Sequence, residues 1–107
     1  MRVISQDGTM DFPYEISTIF IYPRTENVIA IQSAGDSEIS IIGRYSTKEK
    51  AIKVMEMLRK AYENNVFYHC TAGSKRFEEV QSILSEEQFR KATAEYFQFP
   101  QDDEIEV

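Results

Sequence analysis

Tyr45-Ser46-Thr47-Lys48-Glu49-Lys50-Ala51 is the stretch on which the fold turns. An alternating apolar run ends at Tyr45, and Ser46 to Glu49 then read as a capping box. Ser46 accepts from the amide three residues on while Glu49 reaches back to the Ser46 amide, so two donors orphaned at a helix start are satisfied together. The stretch therefore marks a strand-to-helix junction. It divides the chain into a strand-rich first half and a helix-bearing second half, and it carries folding information rather than chemistry.

Upstream of the junction, Glu38 to Tyr45, Val28 to Ala34 and Ile16 to Tyr22 are three runs rich in β-branched and aromatic residues. Gly35-Asp36-Ser37 and Arg24-Thr25-Glu26-Asn27 separate them as turns, which predicts a three-strand antiparallel meander. Nearer the N-terminus, Val3 to Gln6 and Thr9 to Phe12 flank Asp7-Gly8, the signal for a hairpin with a two-residue type I′ turn. Period-two alternation places Ile19, Ile21, Ile29, Ile31, Ile39 and Ile41 on one sheet face. The other face then carries Thr18, Phe20, Tyr22, Val28, Ala30, Gln32, Ser40, Ile42 and Arg44, a mixed surface.

Downstream of the junction, Ala51, Val54, Met55, Leu58, Ala61 and Tyr62 recur at spacings of three and four, a helical stripe wide enough to cover the isoleucine face. The helix is expected over 47–64, with Asn64-Asn65 as its stop. Val66 to Cys70 reads as a short strand. Phe77, Val80, Ile83 and Leu84, then a second capping box at Ser85 and Gln88 before Phe89, Ala92, Thr93 and Tyr96, predict two short helices or one bent one, and Tyr96-Phe97-Gln98-Phe99-Pro100 a closing strand. The expected class is α+β: an antiparallel β-meander with an N-terminal hairpin, one long amphipathic helix on one sheet face, a shorter C-terminal helical segment and a closing strand. Residues 1–100 form the expected domain and 101–107 an acidic, mobile tail.

At 107 residues, 42% hydrophobic and 12% aromatic, the chain has material for one continuous core. It has no apolar run long enough to span a bilayer and no apolar segment of a secretory signal near Met1, so a cytoplasmic protein is expected. The lone cysteine, Cys70, fits a reducing compartment. Twelve basic against eighteen acidic residues give a net charge of -6, which disfavours binding to a phosphate backbone.

Sites of chemistry are sparse in the sequence. His69 stands beside Cys70, and on a strand neighbouring side chains point to opposite faces, which separates them as a nucleophile and base. The His69 neighbourhood lacks a metal-ligand spacing. The four glycines, Gly8, Gly35, Gly43 and Gly73, are too scattered for a phosphate loop. Glu78-Glu79 and Glu86-Glu87 fall near helix first turns, where carboxylates complement the macrodipole. The sequence thus yields no catalytic, cofactor-binding or metal-ligating set.

Three segments carry a resemblance: Met1-Arg2-Val3-Ile4-Ser5-Gln6-Asp7-Gly8-Thr9, the junction running on to Met55-Glu56-Met57-Leu58, and Tyr96-Phe97-Gln98-Phe99-Pro100. Together they resemble a group of small uncharacterised proteins of Gram-positive bacteria and their phages or prophages. The likeness touches about a third of the chain and implies a bacterial or mobile-element origin and a recurring aromatic closing strand. It carries no assigned activity, so it brings no functional residues.

These observations together suggest a non-enzymatic interaction or regulatory module, binding a protein partner or a second copy through a surface that includes Ile52, Phe20, Tyr22, Val28 and Ile42. An alternative is a small ligand-binding protein or enzyme with a pocket between the sheet and residues 66–96, using Arg44, His69 or a tyrosine. A third is acidic mimicry of nucleic acid, which rests on net charge.

Overall fold

The computed structural model describes residues 1–71 and 96–106, and within the long helix it describes side chains as far as Phe67. The predicted helices over 77–93, with their second capping box, lie outside the described residues.

Strands β1 (Arg2–Ile4) and β2 (Asp11–Pro13) form the expected antiparallel hairpin, with Val3 opposite Phe12. Its turn differs from the expected two-residue type I′. Ser5 and Met10 are the last paired residues (Ser5 N to Met10 O, 2.9 Å), the Gly8 amide donates to the Ser5 carbonyl at 3.0 Å, and Gly8 has φ +76°. Asp7 is the reason: its Oδ1 accepts from Ser5 Oγ at 2.6 Å, the Thr9 amide at 3.0 Å and Thr9 Oγ1 at 2.7 Å. These bonds hold a four-residue loop in which Gly8 alone takes a left-handed conformation.

The closing strand is present as β6 (Tyr96–Gln98), which runs parallel to β1 and gives the sheet order β2-β1-β6. Phe97 and Phe99 meet edge to face at 5.4 Å, and Phe99 is buried.

The meander forms a second sheet in the order β3-β4-β5, built from β3 (Ser17–Ile21), β4 (Val28–Ser33) and β5 (Ser40–Arg44). Ile19 pairs with Ile31 and Ile21 with Ile29, so these four share a face as expected. Strand β5 departs from the expected register. A bulge opposite Ile29 and Ala30 sets Gly43 against Ile29 but Ile41 against Ala30, leaving Ile42 as the extra residue. The consequence reverses two assignments: Ile42 is buried in the core at 2% exposure, while Ile39 and Ile41 are 49% and 42% exposed.

Helix α1 (Lys48–Thr71) covers the isoleucine face. Ala51, Val54 and Leu58 are buried with Ile29, Ile31 and Ile42, and Val3, Tyr45, Phe99 and Ile105 complete the same cluster, which joins the two sheets into one core. The helix cap sits one residue later than the sequence suggests. Thr47 Oγ1 accepts the Lys50 amide at 3.2 Å, and the Ser46 amide is taken by Asp102 Oδ1 at 2.7 Å rather than by Glu49. The helix also runs through the expected stop at Asn64-Asn65, and Val66 to Cys70 continue it instead of forming a strand. Asn costs an α-helix only a fraction of a kilocalorie, and Asn65 is buried and partnered, so tertiary contacts override the weak stop.

The segment after Pro100, expected to be mobile, is folded. Gln101 caps a short 3₁₀ turn (Asp102–Glu104), Asp102 binds the start of α1, and Ile105 is 6% exposed within the core. An acidic stretch is held here because a helix N-terminus presents free amides and positive partial charge.

Candidate interaction surface

Direct strand pairing sets side chains on a common side, so the outward face of the meander can be read from the register. Phe20, Ala30 and Ile41 form one row across three strands, and Val28 and Arg44 belong to the next, with the Tyr22 amide bonded to the Val28 carbonyl at 2.8 Å. Ala30 and Val28 are buried at the centre, Phe20 and Tyr22 are half-buried, and Ile41 and Ile39 are exposed at the β5 side.

Of the residues singled out from sequence, Phe20, Tyr22 and Val28 stand on this face. Ile42 does not, because the bulge turns it toward α1. Ile52 is 39% exposed but belongs to α1, on the opposite side of the sheet, so it is separate from the other three. The face instead gains Ile41, which alternation alone assigns to the core, and Ile39, also assigned there, is exposed just before β5 begins. The signal that finds them is Gly43, since an isolated glycine within a strand pattern marks a bulge or a close backbone approach.

The two edges of the meander differ. Beyond β5 lies Gln6, whose backbone amide donates to the Ile42 carbonyl at 2.9 Å, whose Oε1 accepts the Arg44 amide at 2.9 Å and whose Nε2 donates to the Arg44 carbonyl at 3.0 Å. That edge is closed. Beyond β3 the described residues contribute no further strand.

An open cleft of about 520 Å³ lies along β3, between that strand, the turn Tyr14–Ile16 and the flank of α1. Ile19, Met55 and Leu58 form its apolar wall, the rings of Tyr14 and Tyr62 meet at 4.4 Å, and Ser17, Thr18, Glu15 and Arg59 make the rest polar, with Glu15 paired to the N-terminal amine. A smaller hollow of about 240 Å³ lies beside Gln6 and Arg44.

The perturbed titrations are structural in origin. Hydrogen bonds from Ser5 and Thr9 lower the Asp7 carboxyl to about 2. The Ser46 amide, with Lys50 nearby, holds Asp102 below the usual carboxylate range. Burial raises the Tyr45 phenol, whose hydroxyl donates to the Pro100 carbonyl at 2.9 Å. Among the described residues no group of three or more His, Cys, Asp or Glu is placed to hold a metal ion. His69 and Cys70 lie in the last turns of α1, so the strand geometry expected to separate them does not apply. No helix among the described residues is long and apolar enough to cross a membrane.

Comparison of the chain with protein-family models, with curated proteins and with solved structures gives no match.

Proposed function

We propose that the chain is a non-enzymatic protein-interaction module of bacterial or phage origin that binds a partner through the outward face of its meander. The observation that carries this reading is Ile41, which the β5 bulge turns outward at 42% exposure in the row of Phe20 and Ala30, with Ile39 49% exposed just before the strand. Exposed isoleucines grouped on a sheet face are costly to leave in water and mark a surface that another molecule covers. The origin rests on the resemblance carried by the N-terminal, junction and Tyr96 to Pro100 segments.

The test is affinity capture from Gram-positive host cells, with and without phage induction, using the natural chain and an Ile39→Lys, Ile41→Lys double variant. A single stoichiometric partner held by the first and lost by the second, at equal melting temperature, is the expected result. Equal recovery by both would move the site elsewhere.

A further inference from the structure

Among the described residues strand β3 is an open edge with a side-chain receptacle beside it. Tyr22 and Ile16 exchange hydrogen bonds with β4, the Tyr22 amide to Val28 and the Ala34 amide to the Ile16 carbonyl, both at 2.8 Å. In an antiparallel pair the bonding groups alternate, so the amides and carbonyls of Ile19 and Ile21 point away from β4, where no described residue meets them. Natural edge strands are guarded by charge, proline or a bulge. The outer strand of the other sheet, β2, has such guards in Asp11 and Pro13, whereas β3 reads Ser17-Thr18-Ile19-Phe20-Ile21 with none.

The cleft lies on the helix side of that edge. An incoming antiparallel strand that bonds to Ile19 turns the side chain opposite it to the same side as Ile19, into the cleft. There it meets Ile19, Met55 and Leu58, with Tyr14 and Tyr62 as a wall. The next side chain on that face is two residues away, roughly 6–7 Å along the strand. Arg59 is exposed, lines the same cleft and has no ion pair among the described residues.

We propose that the β3 edge and this cleft form a strand-addition site for an extended peptide carrying a large apolar side chain and, two residues away on the same face, a carboxylate. Main-chain bonds to Ile19 and Ile21 give affinity and the two side chains give selection. A second copy of the chain fits less well. In a two-fold β3 pair the side chains turned to the cleft side would be Ile19 and Ile21 of the other copy, which already pack on its core, so both clefts would stay unfilled. The proposal does not depend on the outward face of the meander, which lies on the other side of the sheet.

The probe is an acetylated, amidated peptide, Thr-Thr-Phe-Thr-Glu-Thr, titrated into the full chain up to about 1 mM, the weak end of specific binding. Amide shifts and hydrogen exchange are followed by NMR. Binding should slow exchange at the Ile19 and Ile21 amides. It should be lost when the nitrogens of the first Thr and of Phe, the residues that pair with Ile21 and Ile19, are methylated. A peptide with Lys in place of Glu should bind about tenfold more weakly, and an Arg59→Glu variant should reverse that preference. The peptide charge swap stands even if the variant is poorly folded. No binding, equal binding of the methylated peptide, or indifference to the charge swap would each overturn the proposal. So would protection of the Ile19 amide in the protein alone together with a dimer in sedimentation, since the second copy would then own the edge.

Discussion

The side chain of Gln6 pairs with the main chain of Arg44 as a strand residue would, accepting its amide at 2.9 Å and donating to its carbonyl at 3.0 Å. The same Nε2 reaches the Pro100 carbonyl at 3.2 Å, and Gln101 Nε2 donates to the Gln6 carbonyl at 2.6 Å. One glutamine in the first hairpin thus ties together the β5 edge, the closing strand and the C-terminal turn, elements distant in sequence.

Gln6→Glu retains the acceptor for the Arg44 amide but sets a carboxylate oxygen against two carbonyls. A loss of roughly 1–3 kcal/mol is expected, the range for an unsatisfied polar group, with part of it regained on acidification when the carboxyl can donate again. Denaturant titration at neutral and acid pH checks this. Unchanged stability at neutral pH would show that the bridge contributes nothing.

Gly43 makes the β5 turn toward the core possible by leaving room for Tyr45. A Cβ at this position would lie 3.0 Å from Tyr45 Cε2, 3.3 Å from its hydroxyl and 3.5 Å from Phe99. Tyr45 is 4% exposed and anchored to Pro100, so it cannot move aside freely. Gly43→Ala should destabilise by about 1–3 kcal/mol through overpacking, read as a lowered denaturation midpoint.

Leu58 is 1% exposed within the cluster that joins both sheets to α1. Leu58→Ala should cost roughly 2–5 kcal/mol, whereas its neighbour Met57, partly exposed, should be replaceable by Ala within about half a kilocalorie. A loss below half a kilocalorie at Leu58 would place the helix elsewhere.

The meander and α1 were legible in the sequence because each repeats its periodicity over several turns or strands, long enough for the apolar face to be unambiguous. What escaped were single-residue events. One bulge at Ile42 exchanges the faces of β5, since a one-residue slip moves side chains from core to solvent. The helix cap moved from Ser46 to Thr47 because Asp102 satisfies the Ser46 amide, a long-range partner that no local pattern shows. The acidic end read as solvated for the same reason: Asp102 and Ile105 find their partners only after the chain has folded. Of the candidate surface, Phe20, Tyr22 and Val28 came from alternation, and Ile39 and Ile41 could have been recovered from Gly43. The β3 edge was hidden because pairing order is a property of the assembled sheet.

Two carboxylates make stability depend on acid pH. Asp7 titrates at about 2 in the folded chain, and Asp102 is also shifted downward, against an ordinary aspartate value of about 3.9 in an unfolded chain. A lowered folded-state value means that the unfolded chain takes up protons first. Each group therefore contributes fully above about pH 4, and the contribution is lost as pH falls through its folded value. For Asp7→Asn the loop bonds that favour the carboxylate are weakened at all pH, so the variant should be less stable than the natural chain at neutral pH. Its denaturation midpoint should fall less steeply between about pH 4 and 2, and the two curves should approach one another near the lower end. Parallel curves across that interval would show that the Ser5 and Thr9 bonds to Asp7 do not persist in solution, and that Gly8 with backbone pairing alone holds the first hairpin.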